Sequence, residues 1–378
     1  MKTYTEDASI KARKNEIEAK LNKIRSAMDQ EGIAGVLINK SNSFAWITAG
    51  GDNICTRYTE GGICTIFVTK DKAYYFCANI EAQRMIDEEY LDQLGFEGRV
   101  MPWHEDMTQK FIKEIVGDKK VASDTGIPGT VDAGPIVLQL QRVLCDNEIG
   151  RYMQMGKIFS ETIESYMKTI RPGDTEIAIA GRLGAKMWEN GLEGVLFLIA
   201  SDERVYKYRH ASPTHKKLEK YLNISCNARY KGFVTKISRT LHFGKLPEEL
   251  KIQHQKTVDV ENKLVAMTKP GVDDLDILEA SKKFYAEAGY PDMWKEHHQG
   301  GPQSYTNGFY LISPAKHEKV RLNQVYGYNP TITGTKSEDA IIVTENGPIF
   351  VTYPVYFPKL TSVIDGIEFV RPGILEIG

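Results

Sequence analysis

Three of the eight histidines in this chain sit in segments suited to chemistry. His210 lies in Arg209-His210-Ala211-Ser212-Pro213-Thr214, and His297 and His298 are adjacent, ahead of Gln299-Gly300-Gly301. An imidazole with a pKa of about 6.5 exchanges protons at neutral pH, so His210 reads as a proton carrier or as a hydrogen-bonded structural residue. The sequence does not say which of His297 and His298 faces a cleft. Lys236 falls inside the predicted strand 232–243, where burial would lower its pKa toward usefulness. Arg57, in Cys55-Thr56-Arg57-Tyr58, carries a planar fork that fits both oxygens of a carboxylate, although a surface arginine is the other reading. The five cysteines, Cys55, Cys64, Cys77, Cys145 and Cys226, contain no Cys-x-x-Cys pair, which argues against a zinc ribbon or a disulfide scaffold.

The elements that must position these residues are legible in part. Ile17, Leu21, Ile24 and Met28 recur at helical spacing up to Gly32 and predict an amphipathic first helix. Gly35 to Asn39 predicts a strand, 63–69 and 73–77 a hairpin, 80–90 a helix and 121–123 another strand. A helix of about two dozen residues should begin near Cys145, with Asp146 or Asn147 as its N-cap. Pro and Gly concentrate within 125–146, which sets a domain boundary there.

The second part carries a weak internal repeat. Pro172-Gly173 and Pro270-Gly271 are 98 residues apart, and so are the helix-ending glycines Gly191 and Gly289. Strands are predicted at 194–200, 221–230, 232–243, 325–333 and 339–344. Turns at 229–232 and 334–337 would set Ser225 against Lys236 and Asn329 against Glu338. A duplicated half of this kind packs around one central cleft.

These segments resemble the creatinase / aminopeptidase P / prolidase family of pita-bread proteins. The resemblance is carried by 60–82, by 209–214, by Asn227 to Gly232, by Ser238-Arg239-Thr240 with Gly244, by His298 to Gly301, and by Asn329-Pro330 with Ser337-Glu338-Asp339. It implies an α+β chain with a creatinase-type N-terminal domain over 1–135 and a duplicated pita-bread domain over 146–378. Metal-dependent members hold two divalent ions with two Asp, one His and two Glu. Those positions fall on Ser225, Lys236, His298, Asn329 and Glu338 here, so three of the five ligands are replaced and one has become a cation. Two hard divalent ions want carboxylates, so no metal and no other cofactor is expected. Lys236 then serves either as counter-ion to Glu338 or as an acid, base or anion binder. Tyr305 falls where peptidases of the family carry a second cleft histidine.

The resemblance implies His210, His298, Glu338 and Lys236 as catalytic candidates, with Arg57, Ser225, Tyr305 and Asn329 binding substrate. The expected activity is a metal-independent, creatinase-like hydrolase or lyase acting on a C–N bond of a small carboxylate-bearing metabolite. The alternatives are an Xaa-Pro dipeptidase or aminopeptidase with an atypical metal site, and a non-catalytic member that binds in the old cleft.

Composition bounds the rest. The 378 residues carry 48 Lys plus Arg and 50 Asp plus Glu, a balance that excludes a general nucleic-acid binder. Mean hydropathy is −0.35, and no apolar run approaches the ~20 residues of a membrane span. The start of the chain lacks a signal-peptide core, so a cytoplasmic protein is expected. Its partner would be a small molecule or short peptide. The family's architecture implies a homodimer.

Overall fold

The computed structural model describes residues 3–378. Two compact units emerge, one of Glu6–Glu148 with Lys231–Phe233, the other chiefly of Ile149–Tyr230 with Val234–Gly378.

The first unit holds α1 (Ile10–Glu31), β1 (Gly35–Lys40), α2 (Ser41–Ile47), β2 (Gly61–Thr69), β3 (Ala73–Ala78), α3 (Asn79–Asp87), β4 (Glu97–Met101), α4 (Thr108–Val116), β5 (Val121–Ser123), β6 (Val131–Asp132) and α5 (Gly134–Leu140). Its six strands form one mixed sheet in the order β4-β3-β2-β1-β5-β6. The first helix is as the spacing predicts: Ile17, Leu21, Ile24 and Met28 are buried. Ser9 caps its start by accepting from the Ala12 N–H, and Gly32 ends it in the left-handed region at φ 62°. The hairpin joins β2 to β3 with Thr65 opposite Phe76.

The helix α6 (Asp146–Met167) starts at the end of the first unit and runs into the second. Asp146 and Asn147 lie inside the first turn rather than at the cap. Glu148 reaches back to accept from the Cys145 N–H at 2.9 Å, the reciprocal half of a capping box. There follow α7 (Glu176–Glu189), β7 (Glu193–Ser201), α8 (Glu203–Lys207), β8 (Tyr221–Tyr230), β9 (Phe233–Phe243), α9 (Glu248–Met267) and α10 (Asp274–Glu287). The chain closes with β10 (Gly300–Gln303), β11 (Val325–Tyr328), β12 (Thr331–Ile332), β13 (Thr335–Lys336), β14 (Asp339–Ile342), β15 (Ile349–Phe350), β16 (Lys359–Ile364), β17 (Ile367–Pro372) and β18 (Leu375–Ile377).

The repeat is real in this geometry. Helix α7 runs Glu176–Glu189 and α10 runs Asp274–Glu287, both ends shifted by 98 residues. Thr175 and Asp273 cap them, and Gly173 and Gly271 precede them with φ of 91° and 90°. Each half supplies a four-stranded sheet, β18-β9-β8-β7 and β10-β11-β14-β15. One predicted strand is broken. The run 325–333 divides into β11 and β12, because Pro330 has no N–H to give a ladder.

Candidate active site

The site grows from two hairpins, one in each half. In the first, Lys231 and Gly232 both have positive φ, 47° and 83°, which makes the two-residue loop whose twist matches its strands. Ser225 Oγ lies 2.6 Å from Ser238 Oγ, and Asn223 Nδ2 donates to Thr240 Oγ1 at 3.0 Å. Ser225 therefore opposes Ser238, not Lys236 as the sequence predicts. The turn sits one residue further along than expected, and each residue of turn shift moves the partner by two. Lys236 stays on the same face, a diagonal neighbour of Ser225.

In the second hairpin Tyr328 pairs with Asp339 and Thr331 with Lys336. That register sets Asn329 against Glu338, as predicted. Successive residues of a strand point to opposite faces, so Ser238 and Glu338 share one side while Arg239 and Asp339 take the other. There Arg239 binds Glu164 at 2.6 Å and Asp339 at 3.2 Å, and Arg371 binds Asp339 at 2.9 Å and also Glu261. Glu164 also accepts from the N–H groups of Val355, Tyr356 and Phe357. Burial raises the Glu261 carboxyl to about 7, with Arg371 opposing. This buried network pins the strands whose other face carries the candidate site.

That face opens into a cavity of about 250 Å³ lined by Leu196, Leu198, His210, Ser225, Asn227, Lys236, His298, Asn307, Asn329, Lys336 and Glu338. Ser238 Oγ donates to Glu338 Oε2 at 2.6 Å, so Ser225 supplies the proton between the two serines. Lys336 Nζ pairs with the same Glu338 oxygen at 3.0 Å. Of the expected meeting of Lys236 with Glu338, directly or through one water, the direct contact is corrected: Lys336 takes that place. Among the described residues no carboxylate lies within 4.0 Å of the Lys236 amine. Burial lowers the Lys236 pKa, and Lys336 adds to the fall while Glu338 opposes it. Burial pushes the Glu338 carboxyl up, but Lys336, Lys236 and the Ser238 hydroxyl outweigh it and hold it below its ordinary value. A Cβ at position 327 would lie 2.6 Å from Lys236 Cε and 2.8 Å from Gln303 Oε1, so glycine leaves the space that the lysine stem occupies.

The histidines divide their roles by hydrogen bonding. His297 is buried, and its Nδ1 lies 3.2 Å from the Asn329 carbonyl, which can only accept. The proton then sits on Nδ1, and the His297 Nε2 lone pair accepts from His210 Nε2 at 3.2 Å. His210 is left with its free lone pair on Nδ1. His298 accepts from the Gly300 N–H at Nδ1, 3.3 Å away, so its own proton is on Nε2. Burial lowers all three; Lys336 adds to the fall at His210, and His297 comes to about 3 and His298 to about 4. His297 and His298 are therefore neutral at pH 7.

With both lysines protonated against one Glu338 carboxylate, the cavity carries one net positive charge beside imidazoles and amides. The family's two-metal arrangement does not fit these residues. Ser225 and Asn329 offer no negative charge, and Lys236 repels a cation. The three imidazoles of His210, His297 and His298 do come within 4.8 Å of one another.

One cavity brings together Ser225 and Lys236 of the first hairpin, Asn329 and Glu338 of the second, and His210 and His298 from loops, as expected from the sequence. Tyr305 is buried, 1 % exposed, and is not among the lining residues. Arg57 is exposed in the first unit, before β2. Sequence reasoning missed Lys336, Ser238, Asn227, Asn307 and the part played by His297. The available signal for Lys336 was its place two residues before Glu338, on the same side of an extended chain.

Residues 20–149 match the creatinase/prolidase N-terminal domain, and residues 151–345 match metallopeptidase family M24. An uncharacterized peptidase YqhT of Bacillus subtilis is 25% identical over 358 residues, covering 88% of this chain and 98% of the relative. An Xaa-Pro dipeptidase of Pyrococcus horikoshii is 22% identical over 351 residues, 87% of this chain and 95% of the relative. The solved prolidase from Pyrococcus horikoshii OT3 superposes with a TM-score of 0.74 at 20% identity, covering 89% of this chain and 99% of that one. No helix among the described residues is long and apolar enough to cross a membrane. With a creatinase/prolidase N-terminal domain ahead of a two-hairpin site built on duplicated halves, the chain belongs to metallopeptidase family M24.

Proposed function

We propose that this chain is a metal-independent hydrolase or lyase that breaks a C–N bond in a small carboxylate-bearing compound. The observation that carries this is Lys236, whose amine borders the cavity with no carboxylate within ion-pair reach while Lys336 already neutralises Glu338. A substrate carboxylate supplies the missing negative charge and accepts the amine's hydrogen bonds. His298 Nε2–H and the amides of Asn227, Asn307 and Asn329 add donors. In the hydrolytic form, His210 Nδ1 takes a proton from water as its oxygen bonds to carbon, then delivers it to the departing nitrogen. Glu338, held ionised between Lys336 and Ser238, orients the water or the substrate.

A second reading, an Xaa-Pro dipeptidase with an atypical metal site, is favoured by the three-imidazole cluster and by the relative that bears that name. One experiment separates them. The protein purified from manganese-supplemented medium is assayed against amidino, N-methyl and Xaa-Pro carboxylates with and without a chelator. The expected result is turnover of a non-peptide C–N substrate, unaffected by the chelator, with no metal ion held at stoichiometric level. One or more tightly held ions per chain, with chelator-sensitive Xaa-Pro cleavage, would establish the second reading. Replacing Ser225, Lys236 and Asn329 together by Asp, Asp and Glu should create manganese binding visible by calorimetry; its failure would count against the ligand mapping.

We also propose a homodimer, since closed twofold pairs are the commonest homo-oligomers. Light scattering should give about twice the 42.6 kDa chain mass, and a monomer at micromolar concentration would exclude it.

A further inference from the structure

A second cavity, of about 200 Å³, adjoins the first. Leu264, Ile277, Leu278, Trp294, Ile312 and Tyr328 give it a mainly apolar lining, with Lys295 and Gln299 at its polar side. His298 lines both cavities, so its imidazole borders each of the two spaces. Well-packed interiors keep few voids larger than a water molecule, and an apolar void of about 150 Å³ is enough to take up benzene. The second space is larger than that and is walled by the same segment, His297 to Gly300, that presents His298 to the polar cavity.

We infer that this apolar cavity seats a hydrophobic group of the substrate, an aromatic ring or a branched aliphatic chain, while the carboxylate of the same molecule lies at Lys236. The inference rests on the reading of Lys236 as the carboxylate holder and adds the substrate's other end. Such a ligand crosses His298, whose Nε2–H points a donor at the bond region between the two ends. The site then selects against short carboxylates such as acetate, which fill only the polar side, and against neutral apolar compounds, which leave the cavity's positive charge unmatched.

The test is a binding series on the full chain by calorimetry or ligand-observed NMR, with acetate, 3-phenylpropionate, 4-phenylbutyrate and 5-phenylpentanoate as probes. At least one phenyl carboxylate is expected to bind about tenfold tighter than acetate or better, the gain that burial of a ring brings. Ile277→Trp, which fills the cavity, should bring that ratio close to one. Leu278→Trp, at a partly exposed position, makes the same test if the first variant does not fold. No phenyl carboxylate more than threefold tighter than acetate, or a ratio that survives filling, would overturn the inference. Lys236→Met distinguishes the two readings. If it abolishes acetate binding and the phenyl gain is absent, the apolar seat fails and the carboxylate reading stands. If phenyl carboxylates bind, lose their gain on filling, and ignore Lys236→Met, the carboxylate reading fails and takes this two-ended substrate with it.

Discussion

Lys236→Met is expected to lower kcat/KM for a carboxylate substrate by about 100-fold or more while raising the melting temperature by roughly 5 °C. The two effects have one cause. The fold holds the amine in a site that disfavours its charge, with burial the leading reason. Methionine has similar length and nothing to desolvate, and replacing a poorly compensated buried charge by an apolar chain is often stabilising by about 1–4 kcal/mol. Glu338 keeps Lys336 and Ser238 in the variant, so no carboxylate is stranded. The sign of the pH dependence follows. A lysine whose folded pKa lies below its ordinary 10.5 weakens the fold wherever the unfolded amine is protonated and the folded site resists the proton. The variant's advantage should therefore be full below the folded pKa of the lysine and shrink as pH rises from there to 10.5. Steady-state kinetics and thermal unfolding check both halves. Activity within tenfold of the parent, or a melting temperature that drops, would remove Lys236 from the role given to it.

Arg239→Met should have the largest effect on stability, a loss of about 3–5 kcal/mol, or roughly 10 °C in melting temperature. Its guanidinium is buried and joins Glu164 of α6 to Asp339 of β14. Removing it leaves two buried carboxylates facing each other across the gap, with Arg371 alone against Asp339 and Glu261. Because Ser238 and Glu338 are the chain neighbours of Arg239 and Asp339, loosening this side should also blur the cavity on the other. Circular dichroism melts of Arg239→Met and Arg239→Lys would show it. The lysine variant should fall between the parent and the methionine variant, since it keeps the charge and loses the fork. An Arg239→Met protein as stable as its parent would mean that the network is not what holds these strands.

The sequence carried the elements better than their registers. Strong periodic runs such as Ile17 to Met28, and punctuated ones such as the paired Pro-Gly turns, name their structures because a single local pattern fixes each. The short helices α2 and α4 and the strand β4 were not foreseen, since they are too brief for a period to emerge and take their form from packing in the sheet. Register failed at β8–β9 for a sharper reason. Arg229-Tyr230-Lys231-Gly232 reads equally well as a four-residue turn or as two strand ends around Lys231-Gly232, and only the backbone dihedrals decide. The direct pairing of Lys236 with Glu338 was drawn from residue types alone, which could not weigh Lys336, a nearer cation on the same strand segment as the acid. Which of His297 and His298 faces the cleft was not legible, because adjacent residues point apart and only tertiary hydrogen bonds choose between them.

Gly327 gives the site a way to drift. A methyl group there would press on Lys236 Cε and on the end of Gln303, both of them flexible side-chain atoms, and not on backbone. The amine would move and the sheet would hold. One small mutation at a residue that never meets the ligand can thus relocate the cavity's positive charge by a fraction of an ångström, and with it the preferred spacing between a substrate's anionic and reactive ends. Divergence of substrate preference within such a scaffold does not have to pass through the loss of any group that does the chemistry; it has a silent route behind the lysine.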